Sequence, residues 1–355
     1  MKIAVDISPI KKQQLNAHKV RGVGFYIENL IANIKEVDKK NDYVFFTRDE
    51  KLPKNVSLVH YPYFEPFFFS LPAIRSQKTV VTVHDLIPLV LPKYFPVGIK
   101  GKLKWAYNKK LLKSVNAIIT DSQSSKNDIQ KLVGIASKKI HVVPLAASLD
   151  FKSFDKNKKD IEKKRILEKY RIPSDFVLYV GDITRNKNLP RLLDACIEAS
   201  VPLVLVGKAI TDTAYDKKNP WNIDIALVQD LFNKHKKIYP LGFVANDDLV
   251  ALYNSAKLFI LPSLYEGFGL PILEAMQCGC PVITTKQGSL KEVAGEAAFY
   301  TDPYSTTSIQ NGIETVFNST KLRDELIKKG FLQAKKFSWK NTAEATIAVY
   351  DMFSS

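Results

Sequence analysis

The sequence predicts an α/β protein made of two doubly wound domains facing each other across a cleft. Three observations lead there. Short apolar runs alternate with amphipathic stretches along the whole chain, which is the rhythm of parallel strands joined by crossover helices. That rhythm restarts at Asp175, after the polar, charge-dense stretch "DKNKKDIEKKRILEKYRIP". The length of 355 residues also exceeds one ordinary core and suits two domains of roughly 100–200 residues each.

In the first half, "KIAVDI" reads as a strand and "GVGFYIENLIANIKEV" as a helix entered through a glycine-rich turn. "DYVFFT", "VSLVHYP", "TVVTVHDL" and "NAIITDS" read as further strands, and "SKNDIQKLV" as a helix. The charge-dense stretch is expected to be a linker running into a short helix. In the second half, "FVLYVGD", "PLVLVGK", "IYPLGFV", "KLFILPS" and "PVITTKQG" are buried-strand candidates. The stretches "NLPRLLDACIEA", "DDLVALYNSA" and "LPILEAMQCG" separate them as helices. The terminal "FSWKNTAEATIAVYDMFSS" is helical by pattern. The expected division is a first domain over 1–165, a second over 166–335, and a final helix over 336–355 crossing back onto the first. Two such sheets bind ligands where the carboxyl ends of their strands meet.

Composition narrows the class. Apolar residues make up 46% and charged residues 25% of the chain, the balance of a folded soluble protein and not of a disordered one. No uncharged run is long enough to span a bilayer, and "MKIAVDISPI" lacks the apolar centre of a secretory signal. A cytoplasmic setting is therefore expected. Cys196, Cys278 and Cys280 are too few for a disulfide framework, and no His or Cys pair stands near them at zinc spacing. They read as small buried residues, and no metal site is expected.

The candidate chemistry begins at "LYEGFGLPILEAMQCG", where Glu266 and Glu274 flank a Gly-Phe-Gly turn at a helix start. Backbone amides at Gly267, Phe268, Gly269 and Leu270, with the positive end of a helix dipole behind them, suit a phosphate. Pro271 is tolerated in the first turn because the amide it lacks has no helical partner there. Glu274 either accepts hydrogen bonds from a diol or is a solvated acid in the first turn. In "LYVGDITRNKNLPRLL", a strand leads through Gly181 into a polar loop carrying Arg185 and Lys187. Those cations either neutralise a diphosphate or are solvated loop charges. The chain has no Asp-x-Asp pair.

At these residues the chain resembles family 4 retaining glycosyltransferases, which have the GT-B fold of two Rossmann-like domains. "SLYEGFGLPILEAMQCGCPVITT" looks like the family's E-x7-E signature, and "YVGDITRNKNLPRLL" is similar to its phosphate-binding loop. "LGFVANDDLVALYNSAKLFILPS" resembles the stretch that joins the two. "VVTVHDLIPLV" resembles the His-Asp segment of mannosyltransferase-like members, "TDSQSSKNDI" the Ser-rich turn, and "RGVGFYIENL" the N-terminal glycine loop. The similarity covers nearly the whole chain, and the E-x7-E block is its most specific part.

The resemblance implies a metal-independent glycosyltransferase acting on a GDP- or UDP-linked sugar, with no other cofactor. It implies that Glu266 holds the donor sugar, with the amides of Gly267, Phe268 and Gly269 around sugar and diphosphate. Glu274 then binds the ribose and Lys187 pairs with the diphosphate. His84 lies near the transferred sugar, Gly22 and Gly24 approach from the first domain, and the Phe243–Val244 loop frames the base. Two positions depart from the family pattern. Asn186 stands where members often have an arginine, with Arg185 one place earlier, and Phe25 stands where many carry arginine. A GT-B-like epimerase or a phosphorylase is the neighbouring alternative, though no cofactor lysine site for a phosphorylase is found. His60, in "LVHYPYF", has a weaker version of His84's placement at a strand end, while His18, His141 and His235 have no motif around them.

The charge is uneven. Residues 1–172 hold 33 Lys and Arg against 16 Asp and Glu, whereas residues 173–355 hold 19 against 20. Between Leu86 and Thr120 there are seven lysines and no acid, interleaved with Tyr94, Phe95, Trp105 and Tyr107. This is either a solvated basic surface or one that meets an anionic membrane at its inner face, where a glycan or lipid-linked saccharide would be the acceptor. Nucleic acid is the rival partner for such a patch. No recognised nucleic-acid motif accompanies it, and that reading gives the Glu266–Glu274 block no purpose.

Overall fold

The computed structural model describes residues 1–10 and 22–354, apart from the side chain of Asn233. The chain divides into two compact units. The first comprises 1–90, 97–146 and 337–355, and the second 91–96 and 147–336.

The first unit is built on six parallel strands: β1 (Lys2–Asp6), β2 (Asp42–Phe46), β3 (Leu58–Tyr61), β4 (Lys78–Thr82), β5 (Ala117–Thr120) and β6 (Ile140–Val142). They lie in the order β2-β1-β3-β4-β5-β6. β3 and β5 are buried at every position, as parallel strands covered on both faces must be. Helices Val23–Val37, Ile99–Lys113 and Gln123–Val133 belong to this unit. The β3–β4 connection has no helix. Its prolines, Pro62, Pro66 and Pro72, exclude one, and the buried Asn108 pins the loop instead, donating to the carbonyls of Pro66 (2.9 Å) and Phe68 (2.8 Å).

The last helix, Trp339–Asp351, packs on Val23–Val37, with the rings of Trp339 and Phe25 5.6 Å apart and edge to face. The Tyr350 hydroxyl meets His60 Nδ1 at 2.7 Å.

The second unit repeats the plan with β7 (Val177–Val180), β8 (Leu203–Val206), β9 (Ile238–Gly242), β10 (Leu258–Leu261), β11 (Val282–Thr284) and β12 (Ala298–Tyr300). Their order is β12-β11-β10-β7-β8-β9, again all parallel. The charge-dense stretch expected to be a linker running into a short helix is helical over most of its length, a 15-residue helix, Lys156–Tyr170, within this unit. Ile166 is the one residue of that helix that is buried. Charge holds it in place: Asp248 accepts from Arg165 (2.7 Å), Lys169 (2.6 Å) and Tyr170 (2.5 Å). Burial works against the Asp248 carboxylate, but these donors outweigh it and hold its pKa down at about 2.

Candidate active site

In an open parallel sheet, the crevice for a ligand lies beyond the carboxyl ends of the strands where chain order reverses. In the second unit the chain runs outward from β7 through β8 to β9, then returns to place β10 on the other side of β7. The reversal therefore falls between β7 and β10. The Arg185–Lys187 turn follows β7 and the Glu266 turn follows β10, so topology alone brings together two motifs 79 residues apart.

Their contact is direct. Lys187 Nζ donates to both carboxylate oxygens of Glu266, at 2.8 and 2.9 Å. Ser263 Oγ donates to Glu266 Oε1 at 2.6 Å. Glu266 is buried at 6% exposure, and breaking one side of so enclosed a pair costs more than breaking a surface pair. Asn186 ties the two loops together. Its carbonyl accepts from the Leu264 amide (2.7 Å) and its side chain donates to the Tyr265 carbonyl (3.1 Å).

The Glu266 turn is also held from behind by a segment outside the motifs. Ser289 donates through its amide to the Glu266 carbonyl at 3.1 Å, and its hydroxyl, also 3.1 Å from that carbonyl oxygen, donates to the Phe268 carbonyl at 2.8 Å. In a trans peptide the N–H points opposite to the C=O. Ser289 therefore turns the amides of Gly267 and Gly269 to the other side of the turn. Gly269 has φ +99 at the start of helix Leu270–Gln277, and Gly288 has φ +59. A Cβ on Gly288 would lie 2.4 Å from the Glu266 carbonyl oxygen. Both positions require glycine.

Glu274 is partly buried, and its Oε2 accepts from the hydroxyl of buried Tyr253 at 2.9 Å. Burial and the neighbouring carboxylate keep that phenol protonated. Arg185 points elsewhere than Lys187: it pairs with Asp224 at 3.4 Å and stacks over Tyr94 at 5.2 Å. Val244 is buried just past β9, two strands from β7, and Phe243 beside it is exposed. Cys196, Cys278 and Cys280 are buried free thiols whose pKa values burial pushes up. Among the described residues, no group of three or more His, Cys, Asp or Glu is placed to hold a metal ion.

In the first unit, Gly22 (φ +79) caps helix Val23–Val37, and Gly24 is buried in its first turn. His84 follows β4, and its Nδ1 lies 2.8 Å from Asp121 Oδ2, just past the adjacent β5. Among the described residues, the buried Oδ1 of Asp121 has no hydrogen-bond partner. Burial disfavours the imidazolium, but the Asp121 carboxylate outweighs it and raises the His84 pKa. His60 is a different kind of histidine. It is fully buried, bonded to Tyr350 and to Thr82 Oγ1 (2.8 Å), and burial lowers its pKa to about 3. It is a neutral core residue that joins the last helix to the sheet. His18 lies outside the described residues.

No sequence motif assigns a role to Asp121, Gly288 or Ser289, and Asn186 stands out only as a departure from the family pattern. Asp121 carries a signal as the aspartate of "TDSQSSKNDI" at a strand end beside the His84 strand.

Residues 160–333 match the family model described as glycosyl transferases group 1, and residues 22–151 match that of glycosyltransferase family 4. The chain is 30% identical over 360 residues to the O-antigen chain mannosyltransferase B of Escherichia coli, covering 92% of this chain and 90% of that one. It is 32% identical over 279 residues to the serotype-specific mannosyltransferase WbdA of Escherichia coli, of which it spans 33%. Among solved structures, sucrose-phosphate synthase from Thermosynechococcus elongatus superposes with a TM-score of 0.73 at 19% identity, over 99% of this chain and 98% of that one. Anabaena HepE in complex with UDP-glucose gives 0.72 at 16% identity, over 99% and 100% of the two chains. These two are similar in fold.

Proposed function

Because this chain belongs to glycosyltransferase family 4 and is a glycosyltransferase, we propose that it moves a hexose, mannose or a near relative, from a nucleoside-diphosphate sugar to a glycan or lipid-linked saccharide during surface polysaccharide synthesis. The mannosyltransferases among its relatives support the sugar. HepE, solved with UDP-glucose, supports the donor class, and both GDP- and UDP-linked donors fit the proposal.

The observation that carries the reading is the Lys187–Glu266 pair at the β7/β10 reversal. In the proposal Glu266 accepts from donor-sugar hydroxyls. Lys187 and the amides of Gly267, Phe268, Gly269 and Leu270 meet the charge that develops on the leaving diphosphate. Glu274 takes the ribose, Val244 borders the base and Arg185 lies at the edge of the phosphate loop. Gly22, Gly24 and His84 are the first unit's contribution, with His84 assigned to the transferred sugar.

The chain lacks an Asp-x-Asp pair, and the proposal gives lysine and backbone amides the task such a pair performs through a metal. The configuration is retained: the acceptor oxygen bonds to the anomeric carbon on the face from which the phosphate departs. The acceptor's proton passes to the leaving phosphate oxygen, so no protein nucleophile is used. The proposed setting is the inner face of the cell membrane, where an anionic surface suits the positive excess of residues 1–172.

The test follows nucleoside diphosphate release from a panel of GDP- and UDP-hexoses, with and without glycan acceptors. One donor should be turned over faster with acceptor. Lys187→Met and Glu266→Gln should each lower turnover by about 10²–10³-fold with a native circular dichroism spectrum. Near wild-type turnover in either variant, or no release from any donor, would sink the assignment.

A further inference from the structure

Two segments of the first unit, 68–74 and 99–107, expose six large apolar side chains: Phe68, Phe69, Ile74, Ile99, Leu103 and Tyr107. Ile99, Leu103 and Tyr107 are spaced i, i+4, i+8 and share one face of helix Ile99–Lys113, opposite the side that buries Asn108 and Leu112. The two segments meet. The Phe69 and Tyr107 rings are 5.7 Å apart, edge to face, and Lys104 Nζ lies 5.8 Å from both the Phe68 and Phe69 rings. Between them lies a groove of about 510 Å³ lined by Phe69, Leu71, Leu103, Lys104 and Tyr107. Asn108, bonded to the carbonyls of Pro66 and Phe68, fixes the loop to the helix, so the exposed rings are held in place by structure.

A soluble surface seldom gathers so much apolar area unless it meets something. The flanks indicate what. Lys100, Lys102, Lys110 and Lys113 are exposed on the same helix, and no acid occurs from Leu86 to Thr120. Lysines around an apolar stripe suit the boundary between anionic headgroups and acyl chains, where long side chains keep their ammonium groups at headgroup level. A nucleic acid would use the aromatics for stacking, but the aliphatic Ile74, Ile99 and Leu103 offer it nothing. A second copy of the same face would bring like charges together.

We propose that this face docks on an anionic bilayer, with Phe68, Phe69, Ile99 and Leu103 entering the headgroup–acyl boundary and the helix lysines binding headgroups. The inference rests on the membrane setting proposed above and names the surface that makes it.

The test is flotation of the full chain with vesicles of equal parts phosphatidylglycerol and phosphatidylethanolamine, against phosphatidylcholine vesicles. Binding should be confined to the anionic vesicles and should fade in high salt, as screening shortens from about 8 Å to about 3 Å. Lys100→Glu with Lys102→Glu should lower the partition coefficient by at least about 30-fold. Lys328→Glu with Lys329→Glu, the same charge change in the second unit, should leave it unchanged. Phe68→Ser with Leu103→Ser should weaken binding without altering its salt dependence.

If the wild type floats but both lysine pairs matter equally, this face is not the docking site and the membrane setting survives. If the wild type floats with neither vesicle, both fall. Preferred binding to a single-stranded oligonucleotide in competition would overturn the choice of occupant. Nucleoside diphosphate release with a soluble acceptor should be the same in all these variants, so a failure of the transferase reading shows separately.

Discussion

Asn186 shows how a single position changes meaning once its surroundings are known. The family resemblance leads to the expectation of an arginine there, but a cation at that point would sit at 5% exposure, where an unpaired charge is costly. The amide instead bonds the backbone of the Glu266 turn, while Arg185 is occupied by Asp224 and Tyr94. That leaves Lys187 as the cation on Glu266.

His84 makes the complementary case. Burial alone would push its imidazole down, and Asp121 reverses the sign. Asp121→Asn is therefore expected to move the His84 titration to lower pH, read by proton NMR of the ring. It should also move any pH limb of turnover that depends on His84 in the same direction. Asp121→Glu should restore part of the shift. An unchanged titration in Asp121→Asn would remove Asp121 from any role in positioning His84.

At the scale of elements, the loop after β11 supports the Glu266 turn as a second layer. Gly288→Ala should force the Glu266 carbonyl to move and should place alanine at φ +59. The expected cost is about 1–3 kcal/mol in chemical denaturation, with loss of the thermal shift given by nucleoside diphosphate. Gly98→Ala, at a helix start with open space around its Cβ, is the control. Equal stability and equal nucleotide response in the two variants would show that Gly288 does not shape the turn.

Elements differ in how far the sequence reveals them. The fully buried strands β7, β8 and β10 are legible because each is four apolar residues in a row between turn residues, which a strand covered on both faces requires. β6 and β12 escape notice because each is short and only partly buried, without the covered apolar run that makes the equally short β11 legible. The helix Lys156–Tyr170 reads as a linker running into only a short helix because its docking depends on Asp248, 79 residues beyond Lys169, and not on an apolar stripe.

At the scale of the molecule, the first unit is discontinuous: it needs residues 337–354 to complete it, although the whole second unit intervenes. The last helix brings Trp339 to Phe25 and Tyr350 to His60, and Thr342 donates to the Pro144 carbonyl at 2.7 Å. A chain ending at Lys336 should therefore lose hydrogen-exchange protection across 1–146 and keep it across 147–336. Uniform loss throughout the chain, or none, would contradict this division of stability.

The sequence by itself determined the fold class, the two loops of the candidate donor site and the basic character of the first half. Each of these is written in neighbouring residues, as period, glycine placement or charge. Tertiary structure alone decided which partner each polar group takes: Glu266 for Lys187, Asp121 for His84, Tyr350 for His60, Asp224 for Arg185. The reason is physical. A buried charge or hydrogen-bonding group must find its partner wherever the fold brings one within reach, and that distance, up to 290 residues between His60 and Tyr350, leaves no local trace in the chain.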